Sequence, residues 1–152
     1  MNKELIEELK AQDFNVVAVS KTRTKEEIDE VAKMGLTTFG ENRVQEFIDK
    51  YDPKYTWHII GHLQTNKVKY IVDKVCLIHS VDSLNLAKNI EKEAAKHNVT
   101  VNVLIEVNVA QEESKFGLAC EDVLPLINEI KDFPHIKVKG LMTIAPFVDD
   151  PE

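Results

Sequence analysis

Short β-rich apolar runs alternate along the chain with longer segments whose apolar residues recur every three or four positions, the pattern of repeated βα units. The runs predict strands at Val16 to Ser20, Thr37 to Phe39, Thr56 to Ile60, Cys76 to His79, Val101 to Val107 and Ile136 to Met142. Between them, helical faces are predicted from Ile28, Val31 and Ala32; from Val44, Phe47 and Ile48; from Val68, Ile71, Val72 and Val75; from Leu86, Ala87, Ile90 and Ala94; and from Val123, Leu124, Ile127 and Ile130. Thr24-Lys25-Glu26-Glu27 before Ile28 fits a capping box. The first and fifth runs are almost continuously apolar, as expected where both faces of a parallel sheet are covered. The alternation predicts a parallel α/β sheet.

Two architectures share this pattern, an open doubly wound sheet and a closed eight-stranded barrel. A length of 152 residues favours the open sheet and a single domain. Against the open sheet, Pro151-Glu152 follows the sixth strand with no helix to cover it. No Gly/Ser-rich linker, low-complexity tract or internal repeat beyond the βα alternation interrupts the chain.

Composition narrows the partners. A chain that is 43% hydrophobic and 30% charged, with only 5 Gly and 5 Pro, has the makeup of a folded globular protein. Its net charge of -7 disfavours nucleic acid, whose binding depends on clustered Lys and Arg that displace counterions. Small molecules or proteins are the expected ligands. Met1-Asn2-Lys3-Glu4 runs into charged helix-like sequence without an apolar signal core, which predicts a cytoplasmic location and no membrane span. Cys76 and Cys120 sit among apolar residues without metal-ligand spacing and are expected to be buried thiols.

Candidate chemistry follows from the rule that parallel architectures bind ligands beyond the carboxyl ends of their strands. Ser20-Lys21-Thr22 follows the first strand, Gly40-Glu41-Asn42-Arg43 the second, Gly61 to Lys67 the third, Ser80 the fourth, Asn108 and a Gln111 to Gly117 loop the fifth, and Thr143 the sixth. Lys21 ends an apolar strand, where partial desolvation would disfavour its ammonium and expose an amine able to form an imine. The alternative is a lysine paired with a loop carboxylate such as Glu41. Lys115 could add a second cation for a phosphate or carboxylate, or simply solvate its loop. Asn42 could bond a ring substituent or help to cap the helix after it. His58 and His62 have the spacing of a metal pair, but no nearby carboxylate completes a set, and polar positioning or packing is the expected role. No GxSxG elbow, P-loop or GxGxxG is present, so hydrolase, NTPase and dinucleotide readings lack their parts.

The segments resemble those of the pyridoxal phosphate homeostasis protein family, whose barrel is akin to the N-terminal domain of alanine racemase. Val17-Ala18-Val19-Ser20-Lys21-Thr22 looks like the family's cofactor-lysine strand. Phe39-Gly40-Glu41-Asn42-Arg43-Val44-Gln45-Glu46, Trp57 through Lys67, Val107-Asn108 with Lys115 and Gly117, and Gly140-Leu141-Met142-Thr143-Ile144 look like its other signatures, in order along nearly the whole chain. The resemblance implies a (β/α)8 TIM-type barrel of the fold type III class, here truncated after the sixth strand, as a single, usually monomeric domain over residues 1–152. It implies pyridoxal 5'-phosphate held as an imine on Lys21, with Asn42, His58, Lys115 and Met142 lining the pocket. The implied role is a non-catalytic carrier or regulator in vitamin B6 and amino-acid homeostasis, with enzymes that depend on the cofactor as recipients. The alternative is a fold-type III enzyme, a racemase or decarboxylase, which would ordinarily need a second, β-rich domain. The family's phosphate-cradling segment lies beyond the sixth strand, and its N-terminal helix is longer than this chain's.

Overall fold

The polar residues that flank each apolar stripe decide where its helix begins. Thr24 accepts the amide of Glu27 through its hydroxyl, and the Glu27 carboxylate returns to the Thr24 amide, so the expected capping box opens α2, Lys25–Lys33. Ser83 caps α4, Leu84–His97, and Asn98 in the left-handed conformation closes it. Asn2 caps α1, Lys3–Lys10. Two further helices, α3 (Val44–Lys50) and α5 (Val123–Ile130), lack a side-chain cap bond and depend on packing. The computed structural model describes residues 2–13, 15–110 and 116–145.

The strands are β1 (Ala18–Val19), β2 (Thr38–Glu41), β3 (Thr56–Ile59), β4 (Leu77–Val81), β5 (Val101–Glu106) and β6 (Ile136–Met142). All pair in parallel, and their spatial order is their chain order. That order settles the choice of architecture: a doubly wound sheet reverses direction at a switch point, whereas a barrel adds each strand beside the last. The described strands form an arc of such a barrel.

The main core lies between the arc and its outer helices. Phe39, Trp57, Ile59, Ile78, Val103 and Ile105 of the strands pack in this core with Phe47, Ile90 and Ile130 of the helices. Trp57 is its aromatic centre, with ring centroids 5.6 Å from both Phe39 and Phe47, and its indole N–H donates to the Asp52 carbonyl at 2.9 Å.

Several expectations need correction. The Val68, Ile71, Val72 stripe is buried as expected, but it belongs to a 3-10 helix, Thr65–Tyr70, and the turn after it. An apolar residue every three or four positions fits either helix type. In α5 Val123, Leu126 and Ile130 are buried, while Leu124 is 68% exposed. Val19 is 54% exposed, so β1 is not covered on both faces. Both cysteines are exposed rather than buried. Cys76 sits at the bend before β4, and Cys120 opens the 3-10 turn Cys120–Asp122. No helix among the described residues is long and apolar enough to cross a membrane.

Candidate functional site

Parallel pairing places cross-strand partners on one face. Val19, Gly40 and His58 are register partners across β1, β2 and β3, and they face away from the Phe39–Trp57 core. On that inner face, a Cβ at Gly40 would lie 3.0 Å from side-chain carbons of both Val17 and Ile60, so glycine makes room for two apolar side chains that fill the arc there. His58 Nδ1 lies 2.9 Å from His79 Nε2, which brings His79 of β4 onto the same face. Burial, and then the neighbouring His79, push the His58 pKa down to about 4; burial lowers His79 as well. At neutral pH both rings are uncharged and share one proton along their contact. Further along the arc, Glu106 pairs in register with Met142. Burial, and then Asp82, hold the Glu106 carboxyl above its ordinary range.

The carboxyl ends of β1 to β3 build the mouth. Lys21 follows Ser20 in a turn and is exposed, so the desolvation expected of it is not found. The turn lifts the side chain past the strand into solvent. The alternative pairing with Glu41 is not found either. Glu41 is fully buried, accepts the Ser20 hydroxyl and pairs with Lys50 at 3.3 Å. Asn42 is half-buried and lies against Gly61, where any Cβ would come within 2.6 Å of the Asn42 carbonyl. The close approach of the two loops therefore requires glycine. Arg43, not Asn42, occupies the N-cap position of α3, which removes the capping role considered for Asn42.

His58 and His62 do not act together. His62 stacks on Phe116 with centroids 3.9 Å apart and planes 8° apart, joining the loops after β3 and β5, while His58 bonds His79. No group of three His, Cys, Asp or Glu side chains suited to a metal occurs among the described residues. Lys115 lies outside the described residues. Beside that loop, Gly117, at φ +114, donates its amide to Asp82 at 3.2 Å. Ser80, placed after the fourth strand by sequence, is within β4, and its buried hydroxyl has no hydrogen-bond partner among the described residues.

Sequence reasoning missed His79 and Lys50. Two histidines near the centres of successive strands were a signal for the first. For the second, the Glu46–Lys50 spacing on α3 marked an ion pair, although not its reach to β1.

Fold and mouth together define an alanine-racemase-like barrel whose ligand end is built from the β1, β2 and β3 loops. Residues 2–152 match the family described as alanine racemase, N-terminal domain. The chain belongs to that family, and it is similar to proteins named pyridoxal phosphate homeostasis protein. The protein of that name from Aquifex aeolicus is 50% identical over 141 residues, and that from Helicobacter pylori 40% over 141 residues. These cover 90% and 89% of this chain and 62% and 64% of the relatives, so the chain spans less than two thirds of their length. PipY of Synechococcus elongatus, in a structure with PLP bound, is 32% identical with a TM-score of 0.86; the match covers 96% of this chain and 71% of PipY. Alanine racemase of Clostridium difficile shares the fold at a TM-score of 0.76 and 17% identity, with 94% of this chain and 39% of the racemase covered.

Proposed function

We propose that this chain binds pyridoxal 5'-phosphate at the mouth of the arc, with Lys21 as the residue that holds it, and that it serves vitamin B6 and amino-acid homeostasis by keeping and releasing the cofactor. The observation that carries the reading is the place of Lys21, directly after β1 at the ligand end of a fold whose relative PipY has been solved with PLP bound.

The residues present suit that group. When bound, pyridoxal 5'-phosphate supplies an aldehyde that condenses with a lysine amine, one water leaving as the carbon–nitrogen bond forms. Lys21 is exposed and accessible for this. Asn42, held close by Gly61, offers an amide for a ring substituent. The uncharged His58–His79 pair and Met142 give the inner face a neutral surface for an aromatic ring. The buried, unpartnered Ser80 hydroxyl is a further donor at this end of the sheet. Lys115 is proposed to contribute a cation for the phosphate.

A holding role fits relatives that are named for homeostasis, and we assign the chain no racemase or decarboxylase activity. On this reading the whole protein works as one barrel domain, monomeric and in the cytoplasm, and passes the cofactor to enzymes that use it.

The test is to incubate the folded chain with pyridoxal 5'-phosphate, reduce with borohydride, and map the adduct by peptide mass. A single adduct on Lys21, lost in Lys21→Ala, is expected. An adduct on another lysine of the folded chain, with Lys21 unmodified, would overturn the assignment.

A further inference from the structure

Lys21 is flanked by two residues that are tied down by the same side chains. On one side, the Ser20 hydroxyl donates to Glu41, and the Ser20 carbonyl accepts the Lys50 ammonium at 2.7 Å. On the other, the Thr22 amide donates to Glu46 Oε1 at 2.5 Å. Lys50 joins the two halves: it also donates to Glu41 Oε2 at 3.3 Å and to Glu46 Oε1 at 2.9 Å. An ammonium has three donors, and each of Lys50's has an acceptor. Its side chain is only 10% exposed and that of Glu41 is fully buried, so these charges are shielded from water and mutually dependent.

The backbone between the ties is unusual. Thr22 has φ +64, a left-handed conformation that a β-branched residue seldom adopts. Such a conformation persists only where its surroundings hold it: the Arg23 amide closes the turn on the Ser20 carbonyl at 3.1 Å, and Glu46 is the side chain that binds the Thr22 amide. An ion cluster whose sole role was to fasten α3 to the sheet would need no bond to that amide.

We propose that Glu41, Glu46 and Lys50 are positioning residues for Lys21: they clamp Ser20 and Thr22 so that the lysine between them is held at the mouth in one orientation. This rests on the reading of Lys21 as the cofactor lysine. Two lysines thus divide the work, Lys50 bonded within the wall and Lys21 displayed by it.

The test uses the whole chain, with pyridoxal 5'-phosphate as probe. Glu46→Ala removes the tie to Thr22 at a partly exposed site and leaves the Lys50–Glu41 pair intact. Thermal unfolding reports the folded fraction, amide hydrogen exchange reports the turn without any ligand, and borohydride trapping followed by peptide mapping reports the rate of Lys21 modification. In E46A we expect faster exchange at the Thr22 amide and Lys21 modification slowed about tenfold, the factor equivalent to about 1.4 kcal/mol. Adding Thr22→Gly to E46A should restore most of the rate, because glycine adopts positive φ without strain. Glu46→Gln keeps the acceptor and loses the charge; it should slow modification about threefold, and it is the deciding variant if E46A does not fold.

A folded E46A that modifies Lys21 at the wild-type rate, or a double variant that recovers nothing, would overturn the positioning role. So would a folded E46Q at the wild-type rate, should E46A fail to fold. Wild-type chain modified at some other lysine would instead remove the underlying reading of Lys21, while the exchange rate at Thr22 would still report whether Glu46 holds the turn.

Discussion

His58 and His79 share a single proton across 2.9 Å, and a second proton would set two N–H groups against each other. This makes the pair a source of acid sensitivity. In the unfolded chain His58 titrates near 6.5, while in the fold its pKa is about 4. Between those values the unfolded state binds a proton that the folded state refuses, so stability falls as pH drops from about 6.5 toward 4 and is fully present above that window. Urea unfolding across this range should show that slope, and His58→Gln should flatten it. Gly61 is governed by space instead. Gly61→Ala puts a methyl group 2.6 Å from the Asn42 carbonyl, so thermal denaturation should show a loss of about 1–3 kcal/mol, the usual range for an overpacked contact. Lys21 and Asn42 were legible as mouth residues because strand ends can be read from apolar runs. The true partner of Glu41 was not, because Lys50 reaches it only after α3 folds back over β1 and β2.

Periodicity predicts that a helix has an inner face, but leaves the limits of that face uncertain by one position. On α5, residues 124 and 126 flank the same stripe; Leu126 is buried, at 6% exposure, and Leu124 is left at 68%. Leu126→Ala should therefore cost about 2–5 kcal/mol, whereas Leu124→Ala should stay within about 0.5 kcal/mol, compared by chemical denaturation. The stripe on α4 was read correctly in full, since Leu86, Ala87, Ile90 and Ala94 all lie within one narrow arc of a long, well-capped helix. On α3 only Val44 and Phe47 are buried, and Ile48 lies at the rim.

At the scale of the molecule, β1 and β6 each pair with one neighbour among the described strands. Apolar side chains gather beside these edges: Val19 at one, and Leu141 and Ile144, 59% and 71% exposed, at the other. A groove of about 630 Å³, lined by Val109, Leu124 and Leu141, runs beside β6. Open edges with apolar flanks associate. The weight-average mass of this chain from light scattering should rise with concentration, and Leu141→Lys should lower that rise while leaving the far-UV circular dichroism unchanged.

The sequence by itself determined the alternation of strand and helix, the capping box that opens α2, and the loops that carry the chemistry, because these depend on neighbours within a few positions. Only the tertiary structure decided between barrel and doubly wound sheet, since strand order is a long-range property invisible to periodicity. It also joined His58 to His79 and Glu41 to Lys50, and placed Lys21 in solvent between two clamped residues. Those arrangements depend on which strands lie side by side and on how a turn leaves the last residue of β1.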